Sequence, residues 1–287
     1  MKMKASITIL LPAIMAGLVL LSSAQLNAPK KRIGLQLYSL RADMSKDPKG
    51  TVEKVGKMGY AFVEAAGYNN GKFYGMEPEA FKALVEANGM EFLGSHSGAH
   101  LTAEPDSWQK AMDWWKVALD AHKRAGVKYI VKPSMGPYSY GSLAGLKHTC
   151  EYFNKVGEMC NAVGIRFGYH NHAGEFKELE GVTIYDYMLE NTDPDKVMFQ
   201  LDLYWIYKGG KQAVDYFDKY PGRFENWHIK DVAELGASGE MDFAPVFAQA
   251  KKAGLQDIVV EVEQYNFEPI VSVQKSLDYL MQAPYVK

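Results

Sequence analysis

The run Lys57-Met58-Gly59-Tyr60 joins a helical pattern to an apolar, β-type run through one glycine. The same joint recurs at Ala87-Asn88-Gly89-Met90, Arg124-Ala125-Gly126-Val127, Ala162-Val163-Gly164-Ile165 and Lys252-Ala253-Gly254-Leu255. Glycine just past a helix end accepts the left-handed conformation that terminates the helix. Repetition of helix, glycine and strand is the mark of βα units.

Working outward from these joints gives eight cycles. The expected strands are Ile33–Tyr38, Tyr60–Ala65, Glu91–His96, Tyr129–Pro133, Ile165–His172, Val197–Leu203, Phe224–Lys230 and Asp257–Glu263. The helical patterns between and after them are Lys49–Met58, Pro78–Ala87, Ser107–Ala125, Ser142–Val163, Thr183–Glu190, Gln212–Lys219, Phe243–Ala253 and Ile270–Gln282. Eight units with right-handed crossovers close into a (β/α)8 TIM barrel. An open doubly wound sheet usually carries a glycine-rich phosphate turn after its first strand. Here that turn reads Tyr38-Ser39-Leu40-Arg41. The expectation is therefore an α/β fold, one barrel domain over residues 30–287.

The first residues form a separate object. Lys2 and Lys4 precede an apolar run from Ile7 to Leu21, and Ser22-Ser23-Ala24 follows. This is the pattern of a secretory signal over residues 1–24, cut after Ala24. The apolar run is short for a membrane span, and no cysteine follows it to take a lipid. The expectation is an exported protein, periplasmic or extracellular, without stable membrane anchoring. Cys150 and Cys160 fall in one helical pattern, about 15 Å apart along its axis. A disulfide needs Cα atoms within about 7 Å, so no bridge or redox role is expected.

Of 287 residues 47% are hydrophobic and 23% charged, a composition that supports a packed core. The net charge is −2 with no Lys/Arg-rich run, which argues against a nucleic-acid partner. Monomer and homodimer are both compatible with the sequence.

In such barrels the chemistry sits at the C-terminal strand ends, where residues i and i+2 share a face. His170 and His172 form one such pair, His228 and Lys230 a second, Glu261 and Glu263 a third. Asp202 ends the sixth run and His96 the third. Burying carboxylates and imidazoles around one axis without a cation is costly, so a divalent metal with mixed nitrogen and oxygen ligands is expected. That donor set suits Mn, Zn, Co or Fe, with Mg a further alternative.

The stretches GYHNH (168–172), LDLYW (201–205), WHIKD (227–231) and VVEVEQY (259–265) resemble the strand-end motifs of the sugar phosphate isomerase/epimerase group of xylose-isomerase-like TIM barrels. The resemblance runs from IGLQLYS (33–39) to VEQY (262–265). It implies one divalent metal held by His170, Asp202, His228 and Glu261, with Glu263 the alternative to Glu261. It implies proton abstraction next to a carbonyl, with Glu263 as base, His172 as acid and Lys230 neutralising charge on a substrate oxygen. Glu64, His96, Lys132 and Trp205 are expected to meet the sugar, unless Glu64 and Lys132 bridge each other. Tyr38, Tyr68 and Tyr265 are further aromatic candidates for its wall. Ketose 3-epimerases of the group carry Glu at the strand-five position. His170 stands there in this chain, which resembles the inosose dehydratase branch and its exported relatives.

The expected activity is therefore a metal-dependent isomerase or epimerase of an unphosphorylated sugar or polyol. The alternatives are a lyase, acting as a dehydratase or eliminating a substituent from a 3-keto-glycoside, and a non-catalytic sugar-binding barrel. A DNA endonuclease of the related barrels is disfavoured by the charge.

Overall fold

The computed structural model describes residues 31–287. The expected signal segment and its cleavage point lie outside the described residues. Arg32–Val286 form one compact unit.

Eight parallel strands close into a barrel. They are β1 (Ile33–Gln36), β2 (Phe62–Ala65), β3 (Glu91–His96), β4 (Tyr129–Lys132), β5 (Arg166–His170), β6 (Val197–Asp202), β7 (Asn226–Ile229) and β8 (Asp257–Val260). Each pairs with the next in sequence, and β8 returns to β1 through Leu35 and Val260. The surrounding helices include α1 (Pro48–Met58), α2 (Pro78–Ala87), α3 (Ser107–Ala125), α4 (Leu143–Asn161), α5 (Ile184–Asn191), α6 (Ala213–Lys219) and the closing α7 (Pro269–Gln282). The expected helix Phe243–Ala253 is instead two single turns, Ala244–Phe247 and Ala250–Ala253. A tight bond from Gln249 N–H to the Val246 carbonyl, 3.1 Å, interrupts it.

Local chemistry fixes where the helices begin and end. Asp47 caps α1 through Gly50 N–H, and Ser142 caps α4 through Gly145 N–H. The glycines of the five recurring joints all have positive φ, from +72° at Gly126 to +99° at Gly59. Cys150 and Cys160 are free and buried on α4.

The inward face of the strands changes character along their length. Its lower layer is apolar: Phe62, Leu93, Tyr129, Val131, Met198 and Val259 pack together inside the barrel. Gly34 and Gly94 leave room for those rings, since a Cβ there would sit 2.1 Å from Phe62 and 2.0 Å from Tyr129. Two residues further along, the inward positions turn polar. Phe62 gives way to Glu64, Met198 to Gln200 and Asp202, and Val259 to Glu261, while on β7 the positions Asn226, His228 and Lys230 are polar throughout. The apolar layer closes the barrel below, and the polar layer faces the mouth.

Candidate active site

Strand register brings the strand-end groups together. Asp202 on β6 pairs with His228 on β7, and Gln200 pairs with His170 on β5. One donor atom each from His170, Asp202, His228 and Glu261 lies within 4.8 Å of the others, and all four residues are buried. Donor atoms of His96, His170 and His228 form an overlapping group.

Each member is oriented by a partner. Glu64, without exposed surface, accepts from Nε2 of His228 at 2.8 Å. This leaves Nδ1 of His228 facing Glu261 Oε2 at 3.3 Å, on the donor side. Gln200 Oε1 meets His170 Nδ1 at 3.0 Å and His96 Nε2 at 2.6 Å. Gln200 also donates to Glu64 at 2.8 Å and to Asn226 at 2.9 Å. Gln36 donates to Glu64 at 2.6 Å. Asn171, the middle residue of the H-N-H stretch, accepts from the backbone N–H of Asp202 at 3.0 Å and so ties β5 to the end of β6.

Asp202 carries the clearest sign of a missing partner. Its Oδ1 caps the short helix Leu203–Lys208 through Trp205 N–H. Its Oδ2 is buried with no hydrogen-bond partner and lies 3.9 Å from His170 Nε2. An unmade bond of that kind costs about 1–3 kcal/mol, more for a charged group. Burial, with Glu261 nearby, pushes the Asp202 carboxyl up to about 7 against the pull of Lys230 and His228. His170 is held well below the usual imidazole range by burial and by the charges of His228, His96 and His172. A neutral imidazole is the form that binds a metal. Burial opposes ionisation of Glu261 and Glu64, but the cations beside them win and hold both carboxyls low. Burial likewise opposes the charge on His228, and Glu64 and Glu261 outweigh it, raising His228 to about 10; a cation bound at Nδ1 would displace the proton held there. Buried carboxylates therefore crowd a site whose cationic partners are Lys230 and His228. A divalent cation fits this donor set.

Lys230 links the two strand-eight carboxylates. Its Nζ lies 3.2 Å from Glu261 Oε2 and forms a short ion pair with Glu263. The backbone of β8 ends at Val260, yet Glu261 and Glu263 still face the same cation. Lys230 Nζ also stands 5.1 Å from the centre of the Trp205 ring. That ring lies 5.6 Å from His172, whose backbone N–H donates to Glu175 Oε2 at 3.0 Å. Glu175 is fully buried and also accepts from Tyr140 at 2.6 Å and Tyr169 at 2.5 Å.

A pocket of about 380 Å³ opens over this cluster, lined by His96, His170, His172, Glu261 and Glu263 with Tyr38, Ala66, Pro133 and Ser134. Two expected sugar contacts sit elsewhere. Glu64 lies beneath the imidazoles, spent on Gln36, His96, Gln200 and His228, so it does not reach toward a sugar. Lys132 follows Val131, an interior residue, and strand alternation turns it to the outside of the barrel. It is buried there with Nζ 3.1 Å from His100 Nδ1, and burial brings it down to about 7. The Glu64–Lys132 bridge does not form for the same reason. Tyr68 packs away from the mouth, against Phe73, Trp114 and His122. Tyr265 is tied to the Ser39 carbonyl and to Arg41.

The sequence reading missed Gln36, Gln200, Asn226 and Glu175. Gln200 stands two residues before Asp202, and Asn226 two before His228, so strand alternation carried the signal for both. Glu175 acts through a turn that no periodicity marks.

A barrel of this closure, with imidazole and carboxylate donors converging at its C-terminal mouth, defines a class of α/β enzymes. The family model described as xylose isomerase-like TIM barrel matches residues 52–283, and the chain belongs to that family. A sugar phosphate isomerase/epimerase from Parabacteroides distasonis is 35% identical, with a TM-score of 0.84 over 90% of this chain and all of that one. An inosose dehydratase from Lacticaseibacillus casei is 23% identical over 264 residues, covering 76% of this chain and 87% of the relative. The fold also matches a 3-keto-D-glucoside 4-epimerase from E. coli at 17% identity and a TM-score of 0.69, over 88% of this chain and all of that one.

Proposed function

We propose that this protein is a divalent-metal-dependent isomerase or epimerase that removes a proton next to the carbonyl of an unphosphorylated sugar or polyol. The observation that carries the reading is the buried His170, Asp202, His228 and Glu261 cluster with a second carboxylate, Glu263, held beside it by Lys230. Structural likeness to a sugar phosphate isomerase/epimerase and to a 3-keto-glucoside epimerase supports it.

His170, Asp202, His228 through Nδ1, and Glu261 would hold the cation. When bound, it supplies Lewis-acid polarisation of the substrate carbonyl. Glu263 borders the pocket and takes the proton from the adjacent carbon. Lys230 neutralises charge that develops on substrate oxygen. His172, which lines the same pocket, returns a proton; burial holds its imidazole below the usual range, so the protonated ring gives that proton up readily. Glu175 positions His172 through its backbone. Trp205 offers an aromatic face beside Lys230, and His96 a polar contact.

A lyase reading uses the same first step and then expels a group from the neighbouring carbon. It is favoured by the inosose dehydratase relatives and by His170 at the strand-five position. Export of the mature chain from about Gln25 belongs to the same proposal, because phosphorylated sugars are mostly intracellular. N-terminal sequencing of protein secreted by its host tests that part, and an intact Met1 on retained protein ends it.

The test of the chemistry is incubation of Mn-, Co- or Zn-loaded protein in D2O with ketoses, inososes and 3-keto-sugars, followed by NMR. Deuterium at the carbon next to the carbonyl supports the reading. Isomerised product separates the first activity from the lyase, which yields an unsaturated or cleaved product. Binding of these sugars with no exchange on any would leave a non-catalytic binding barrel.

A further inference from the structure

A second depression, of about 360 Å³, adjoins the pocket over the donor cluster. The two share Tyr38 and Ala66 as a common wall. Leu37, Met44, Pro48, Gly67 and Tyr74 make the rest of the second one largely apolar, and Arg41 and Ser45 give it a polar rim. Tyr38 is 42% exposed, and among the described residues it is the exposed large apolar residue that lines either depression.

The depression is built from fixed parts. Arg41 lies 4.9 Å from the Tyr38 ring centre and donates to Tyr265 at 2.7 Å and to the Glu263 carbonyl at 3.2 Å. The Tyr38 platform is therefore tied to the backbone of the residue assigned as base. The floor is held by Tyr74, which accepts from Ala66 N–H at 2.9 Å and donates its own N–H to the Gly67 carbonyl at 2.8 Å. A Cβ at Gly67 would meet the Tyr74 ring at 2.3 Å, so that packing requires glycine.

We propose that this depression is a subsite for a second saccharide ring, so that the substrate is a disaccharide or glycoside whose reacting ring lies over the donor cluster. The inference rests on the function proposed above and names its substrate class. An exposed aromatic face beside a polar rim suits a sugar, whose C–H face packs on the ring while its hydroxyls reach the edge. A phosphate is a poorer fit. Arg41 is the one cation lining the depression, and its guanidinium already serves Tyr265 and the Glu263 carbonyl. A single-ring substrate over the donor cluster would leave the second depression unused.

The test compares α-proton exchange in D2O for 3-keto-D-glucose and for the disaccharide bearing the same 3-keto ring, 3-keto-cellobiose, on Mn-loaded protein. The disaccharide is expected to have kcat/KM at least about tenfold higher, mostly through KM, the size of one good aromatic contact. Ser45→Trp fills the second depression without entering the first. It should bring the disaccharide down to the monosaccharide value and leave the monosaccharide unchanged. Tyr38→Ala should lower the disaccharide value as well. Equal kcat/KM for the two sugars on the parent protein, or a Ser45→Trp variant that keeps the parent's preference for the disaccharide, overturns the subsite and leaves the proposed chemistry standing. Exchange on neither sugar counts against that chemistry itself and removes the subsite with it.

Discussion

Nε2 of His228 lies 2.8 Å from Oε1 of Glu64, a carboxylate three strands away around the barrel from β7 that has no exposed surface. The bond fixes which imidazole nitrogen is free. With Nε2–H committed to Glu64, Nδ1 is the atom left toward Asp202, Glu261 and His170. A carboxylate behind a histidine ligand also raises its basicity.

Glu64→Gln should therefore weaken the metal without touching a donor. The expected loss is roughly 10–100-fold in Mn affinity, the usual cost of removing such a partner. Titration calorimetry on the variant and the parent reads it. Unchanged affinity would show that Glu64 serves only the barrel's internal hydrogen bonds.

Glu261 and Glu263 separate ligand from base. Glu261→Gln should lose metal and turnover together. Glu263→Gln should keep the metal and lose roughly 10²–10⁴-fold in turnover, the contribution of a positioned general base. Metal content measured beside α-proton exchange checks both. The reverse pattern would exchange their roles.

The fold was legible because its signals are local. Glycines 59, 89, 126, 164 and 254 mark the joints, and alternation along the strands names the inward faces. His170, Asp202, His228 and Glu261 were legible for the same reason, standing at the ends of neighbouring strands. Lys132 and Glu64 were misplaced for opposite reasons. The outward turn of Lys132 depends on the parity of its position relative to Val131, which a four-residue strand leaves open until its neighbours pack. Glu64 has inward parity but sits one layer below the mouth, and depth is a property of barrel stagger rather than of any one strand.

Gly94→Ala should destabilise the barrel. The new methyl would lie 2.0 Å from the ring of Tyr129, inside a layer without slack. Overpacking of this kind costs about 1–3 kcal/mol, readable as a lower denaturation midpoint with an unchanged slope. A neutral result would mean that the Tyr129 ring moves freely.

Stability should fall on acidification through His122. This residue of α3 is buried between Tyr68 and Phe73, with Nδ1 at 2.6 Å from the Ala118 carbonyl. Burial brings it from 6.5 down to about 4, the Ala118 carbonyl opposing. The folded state thus holds the neutral ring, while the unfolded chain takes up a proton below about pH 6.5. Stability contributed by the neutral ring is full above that value and is lost as pH falls toward 4, about 3 kcal/mol in all. Urea unfolding of the parent and of His122→Phe across that range should show the acid loss reduced in the variant. Parallel pH profiles would remove His122 as its source.

The proposed chemistry depends most directly on the cation. Mature protein incubated with Mn, Co or Zn, passed through a desalting column and analysed for metal should retain about one ion per chain. His228→Ala should retain far less, because a donor and its orienting bond are lost together. A parent protein that retains no stoichiometric ion under any of these conditions would contradict the metal centre and, with it, the chemistry assigned to this barrel.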